Sequence, residues 1–121
     1  ASFCQESTRY CNYSKGKYGN EITVVEPFFL VEGTTGYAIW KQAMEDAELA
    51  YLSLLEWERT PQEARSVLPN SLKTEIVITA QVYEWLHIFD LRVIGTTGAP
   101  HPQIKEVMEP AYREMLDNHY I

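Results

Sequence analysis

Between Tyr37 and Leu54 the apolar side chains fall at alternating steps of three and four: Tyr37, Trp40, Met44, Ala47, Tyr51, Leu54. On a helix with 3.6 residues per turn this spacing draws one continuous stripe. Glu45, Asp46, Glu48 and Glu56 fall largely off it. A long amphipathic helix therefore organises the chain, and its stripe serves either as core or as a subunit interface, core being favoured by the spacing. Thr34 or Thr35, in the loop from Gly33 to Gly36, supplies the N-terminal cap.

The other elements are shorter. Lys15-Gly16-Lys17-Tyr18-Gly19-Asn20 reads as a turn, and Glu21–Glu26 (EITVVE) as a β-branched strand ended by Pro27. In Thr60-Pro61-Gln62-Glu63, Thr caps, Pro takes the first helical position and Glu completes a capping box. The short helix after it stops at Pro69-Asn70. Leu72–Thr79 (LKTEIVIT) reads as a strand buried on both faces. Residues 80–93 read as a helix with Val82, Trp85, Leu86 and Phe89 on one face and Gly95 as its stop. Pro102 opens a last helix through Ile104, Val107, Met108, Ala111 and Met115, with Pro110 as a kink. These elements predict one α+β domain over residues 1–121, with a small, mostly antiparallel sheet packed by the long helix and the two C-terminal ones.

Composition narrows the function classes. A 45% hydrophobic fraction with 12% aromatics places the chain among globular rather than disordered proteins. No apolar run has the length of a membrane span and no signal peptide is visible, so neither a membrane nor a secreted setting is expected. A net charge of −7 argues against a nucleic-acid partner, which calls for a basic surface. Cys4 and Cys11 lack metal or redox spacing and are expected as reduced thiols in a cytoplasmic protein. The first residue is Ala, as in a processed product or a fragment.

Chemistry concentrates in the first residues, ASFCQESTRYCN. Ser2, Ser7, Thr8, Gln5 and the Arg9 guanidinium suit an anionic, hydrogen-bonding ligand such as a phosphate ester. A solvated arm is the plainer alternative. Ser7 has no sequence-local base, so it ranks as a ligand rather than a nucleophile. His87, His101 and His119 are not spaced as a local metal site, and no metal is expected. Arg65 sits between apolar neighbours, either as a surface charge or as an inward-pointing anion ligand. Arg92 lies near a helix C-terminus, where the macrodipole already favours a cation.

The same residues carry a resemblance. Ser7, Arg9 and Tyr10 match the end of the signature of flavin-dependent thymidylate synthases, which runs Arg-His-Arg, seven residues, Ser, one residue, Arg, Tyr. The chain begins just inside that motif. E-A-R-S-V-L-P (Glu63–Pro69) resembles the family's A-R-x-x-L-P, and T-E-I-V-I-T-A with W-L-H-I-F-D-L-R resembles its strand, helix and closing arginine. Pro100-His101-Pro102-Gln103-Ile104 is similar to the start of its last helix.

The resemblance implies the C-terminal portion of an enzyme that makes dTMP from dUMP. Methylenetetrahydrofolate supplies the carbon, and FAD, reduced by NADPH, supplies the hydride. It implies a homotetramer with active sites shared between subunits. By position, Ser7, Thr8 and Arg9 would hold the nucleotide phosphate, with Gln5 and Glu6 alongside. Arg65 would reach dUMP from a neighbouring subunit. Arg92 would lie against the uracil as the catalytic cation. Gln81, Val82, Tyr83 and His87, with Gln5, would contact FAD. The alternative is a noncatalytic oligomeric module that keeps the fold and binds nucleotide.

Overall fold

A computed structural model describes residues 1–5, 15–16, 19–20 and 22–121. They fall into two compact units, Gln5–Ile76 and Ala1–Cys4 with Val77–Ile121. The α+β class holds, its strands forming two separate two-stranded pairs.

In the first unit, strands β2 (Lys15–Gly16) and β3 (Gly19–Asn20) pair antiparallel, with Lys15 opposite Asn20 and Gly16 opposite Gly19. This is the predicted turn. The Glu21–Glu26 strand is realised only as an extended segment. Val24 bridges Leu72 antiparallel, and Val25 N–H donates to the Ser71 carbonyl at 2.7 Å.

Helix α1 spans Thr35–Glu56, 22 residues, or about 33 Å at 1.5 Å per residue. The Thr34 hydroxyl accepts from Tyr37 N–H at 3.3 Å, the expected cap. Its stripe is the inner face: Tyr51 is fully buried and Tyr37, Trp40, Met44, Ala47 and Leu54 are half-buried. Tyr51 joins Ile22 and Ala64 in a core lined by Leu52, Leu55, Val67, Leu68 and Leu72. The helix closes through Arg59 N–H to the Leu54 carbonyl and Glu58 N–H to the Leu55 carbonyl, both 3.0 Å. Glu58 takes the left-handed conformation, φ 60°, that a C-terminal closure needs and glycine usually provides.

Helix α2 (Pro61–Ala64) carries the predicted capping box. The Thr60 hydroxyl accepts from Glu63 N–H, and the Glu63 carboxylate accepts from Thr60 N–H, each at 3.3 Å. A 3-10 turn, Arg65–Val67, comes next and ends before Pro69.

The second unit holds all but the last residue of β1 (Ser2–Gln5) and all but the first of β4 (Ile76–Thr79), which pair, then α3 (Val82–Phe89), a π-helical turn (Asp90–Ile94) and α4 (Pro102–Asp117). Two expectations are corrected here. The predicted strand 72–79 shortens to residues 76–79, and it is not buried on both faces, since Ile76 and Val77 are 49% and 65% exposed. A β-branched run reports strand propensity, whereas burial depends on what covers the strand. On α3 the buried side carries Phe89 (1% exposed) and half-buried Trp85, while Val82 and Leu86 are exposed. Val82 and Leu86 form the neighbouring i,i+4 row rather than sharing the buried one. Val107 of α4 is likewise exposed, while Ile104, Met108, Ala111 and Met115 are half-buried. Pro110 stands inside α4 as expected, removing one backbone donor there.

Candidate functional site

The site residues are built around α3. Gln81, in extended conformation, precedes its first turn and donates its backbone N–H to the Glu84 carboxylate at 2.8 Å. Trp85 stacks on Phe89 at 5.5 Å between ring centroids, and Phe89 meets Tyr112 of α4 at 5.1 Å. This aromatic anchor, with buried Val93, fixes which side of the helix faces inward. Beside this buried row and round to the far side stand Val82, Tyr83, Leu86 and His87, all exposed. They occupy two adjacent i,i+4 rows, Val82 with Leu86 and Tyr83 with His87.

Past Phe89 the helix widens. Gly95 N–H donates to the Asp90 carbonyl at 2.9 Å, the i to i+5 bond of a π turn. Thr96 N–H reaches the same carbonyl at 3.3 Å, and the Thr96 hydroxyl donates to Asp90 Oδ1 at 2.5 Å. Gly95, at φ 77°, makes the predicted stop. A Cβ there would lie 2.8 Å from the Gly98 carbonyl oxygen and 3.1 Å from Pro100 Cδ, so a side chain is doubly disfavoured. Within this turn Val93 is buried and Arg92 is exposed, with no ion pair among the described residues. The last turn of a helix favours a cation, and the exposed guanidinium meets solvent there.

The other predicted residues are more scattered. Gln5 ends β1, exposed. Arg65 opens the 3-10 turn behind the Thr60–Glu63 capping box, with Ala64 buried beneath it; it is exposed, which favours the surface alternative. It belongs to the first unit, whereas Gln81, Val82, Tyr83, His87 and Arg92 share one helical segment of the second. Glu6, Ser7, Thr8 and Arg9 lie outside the described residues, as does Cys11; Cys4 is a free, exposed thiol. Among the described residues no group of three or more His, Cys, Asp or Glu is placed to hold a metal ion, and no helix is long and apolar enough to cross a membrane.

Sequence reasoning missed the π turn that carries Arg92, because DLRVI contains no local signal for it. It also missed His101, whose Nδ1 accepts from Gln103 N–H at 3.2 Å and caps α4. The position just before Pro102 was the available clue.

The arrangement is a solvent-facing strip of aromatic, imidazole and apolar side chains leading to an arginine. Such a strip suits a flat, partly anionic ligand. The family model described as "Thy1: Thymidylate synthase complementing protein" matches residues 1–119. The chain belongs to this family. Among its relatives, the flavin-dependent thymidylate synthase of Pyrococcus abyssi is 31% identical over 93 residues, 77% of this chain and 37% of the relative. That of Geobacter sulfurreducens is 30% identical over 92 residues, 76% of this chain and 38% of the relative. The enzyme of Nitratidesulfovibrio vulgaris is 30% identical over 124 residues, 96% of this chain and 48% of the relative. This member of the thymidylate synthase complementing protein family thus spans less than half the length of these curated relatives.

Proposed function

We propose that the chain forms the C-terminal portion, as a single domain, of a flavin-dependent thymidylate synthase. The reaction is the FAD-dependent reductive methylation of dUMP to dTMP with methylenetetrahydrofolate and NADPH. The observation that carries this reading is the family match over residues 1–119, and the exposed Tyr83, His87 and Arg92 of α3 and the π turn agree with it. The names of the relatives support the same reading.

The residues present fit a flavin. Tyr83 (67% exposed), Val82 and Leu86 offer ring and aliphatic surface to a flat heterocycle, and Gln81 and His87 offer hydrogen-bonding groups beside it. Gln81, Val82, Tyr83 and His87 would hold FAD, which when reduced would supply the hydride that the methylation consumes. Arg92 lies against the uracil and stabilises negative charge as the ring is activated. A fixed cation in a closed site contributes about 3 kcal/mol to such a step. Ser7, Thr8 and Arg9, with Gln5 and Glu6, hold the phosphate, and Arg65 reaches dUMP from a neighbouring subunit of a homotetramer.

The test is the visible absorption spectrum of the purified protein with added FAD, before and after dUMP. A bound-flavin band that shifts with dUMP supports the reading. A protein that takes up no FAD overturns it for this chain. Retained dUMP binding, lost in Arg9→Ala, would then point to the noncatalytic nucleotide-binding module.

A further inference from the structure

Away from the α3 strip, the first unit contains a half-open cleft of about 220 Å³ between the extended segment Ile22–Glu26 and the inner face of α1. Its walls are aromatic. Tyr37 and Trp40 stand 5.7 Å apart between ring centroids, their planes tilted by 44°. Both rings have their polar ends engaged: the Tyr37 hydroxyl donates to Glu26, itself on the cleft's border, at 2.8 Å, and the Trp40 indole N–H donates to the Ser71 hydroxyl at 3.1 Å. What they offer the cleft is therefore ring surface, electron-rich on its face. Met44 adds a polarizable sulfur, and Ile22 and Val24 close the far wall.

The charged lining has one dominant sign. Among the described residues, Glu26, Glu45 and Glu48 border the cleft against one cation, Lys41. Glu48 is held by Ile22 N–H at 3.0 Å. A carboxylate has about four acceptor positions, and among the described residues Glu26 and Glu48 each accept one hydrogen bond, from Tyr37 and Ile22 respectively. The negative field is also felt by Tyr37, whose phenol is held above its ordinary 10.0 by the hydrogen bond to Glu26 and by the Glu26 and Glu32 charges.

We propose that this cleft binds a small organic cation, an alkyl or quaternary ammonium seated on the Tyr37 and Trp40 rings and paired with the Glu26, Glu45 and Glu48 carboxylates. The volume is below the ~300 Å³ at which pockets for drug-sized ligands begin, which matches an ammonium headgroup. Ring faces attract cations. The carboxylates repel anions, so the nucleotide belongs elsewhere. The site stands independently of the flavin strip.

Calorimetric titration with choline, and with its neutral isostere 3,3-dimethylbutan-1-ol, tests it. Choline should bind at least about tenfold more tightly than the isostere, the scale of a cation–ring contact with a carboxylate nearby. Glu45→Gln, an exposed position, should weaken choline by about threefold or more without changing the thermal melt. Trp40→Phe should weaken it as well. Equal affinity for the two compounds would mean a merely apolar cleft and overturn the proposal. No saturable heat with choline, or choline binding indifferent to both substitutions, would overturn it too.

Discussion

The Thr96 hydroxyl closes onto Asp90 Oδ1 at 2.5 Å, across the π turn that carries Arg92. With Gly95 and Thr96 N–H both directed at the Asp90 carbonyl, one residue accepts three hydrogen bonds from the two residues that end the helix. Removing the hydroxyl in Thr96→Val should cost about 1 kcal/mol, more than an ordinary exposed bond because its acceptor is a carboxylate. Thr96→Ser should restore most of the loss. Urea denaturation of the three proteins measures both values.

Phe89 holds the other end of that segment. Its ring lies between Trp85 and Tyr112 and is 1% exposed, so Phe89→Ala opens a cavity where α3 meets α4. The expected loss is about 3–5 kcal/mol. A loss below about 1 kcal/mol in chemical denaturation would mean that this anchor is not core.

Glu58 is a residue in a conformation that suits glycine. At φ 60° its Cβ is crowded, and a left-handed position costs a side-chain-bearing residue about 1–2 kcal/mol. Glu58→Gly should raise stability by about 1 kcal/mol, reduced somewhat by glycine's greater freedom in the unfolded chain. A thermal melt that falls on this substitution would contradict the account of the closure.

The capping box has a pH signature. Glu63 is held below its ordinary 4.5, first by the Thr60 backbone N–H, then by the Thr60 hydroxyl, with the Arg59 charge adding to them. A carboxylate whose folded pKa is depressed contributes stability that is present above 4.5 and lost as pH falls through the folded value. Glu63→Gln should therefore flatten the acid limb of the stability curve below about pH 4.5 while changing neutral stability little. Denaturation midpoints across that range, for both proteins, give the comparison.

Arg92 is the residue on which the proposed chemistry turns. In an active enzyme, Arg92→Ala should lower kcat by about 100-fold with a smaller change in dUMP affinity, since the charge matters most as the uracil is activated. Steady-state kinetics with a separate binding titration distinguish the two effects. Lost binding with unchanged turnover would assign Arg92 to holding the nucleotide instead.

How legible these features were depends on how local their causes are. Thr60-Pro61-Gln62-Glu63 could be read directly because a capping box is made by four consecutive residues. The α1 stripe was legible because one period runs through six apolar positions, and Tyr51 duly lies at the core. Gly95 was legible as a stop, but the π turn before it was not, since the extra residue is stabilised by Thr96 folding back from outside the helix. Val82 and Leu86 misled because exposed apolar residues look like buried ones in sequence; only the Trp85–Phe89–Tyr112 contact shows which row turns inward. Arg92 was singled out by resemblance to a family, and its exposed place on an unusual turn is what the structure adds.

The π turn also bears on which changes of chain length the segment tolerates. A π turn is an α-helix carrying one surplus residue, and each residue of an α-helix advances the direction of the next by about 100°. Deleting any residue from Asp90–Ile94 would let the helix heal into regular geometry and swing the chain beyond it by roughly that angle relative to His87. Beyond Gly98 the chain has left the helical ladder, so a change of length there removes no backbone bond of α3 or the π turn. Homologous chains should therefore differ in length after residue 98 long before they differ in length between Phe89 and Gly95.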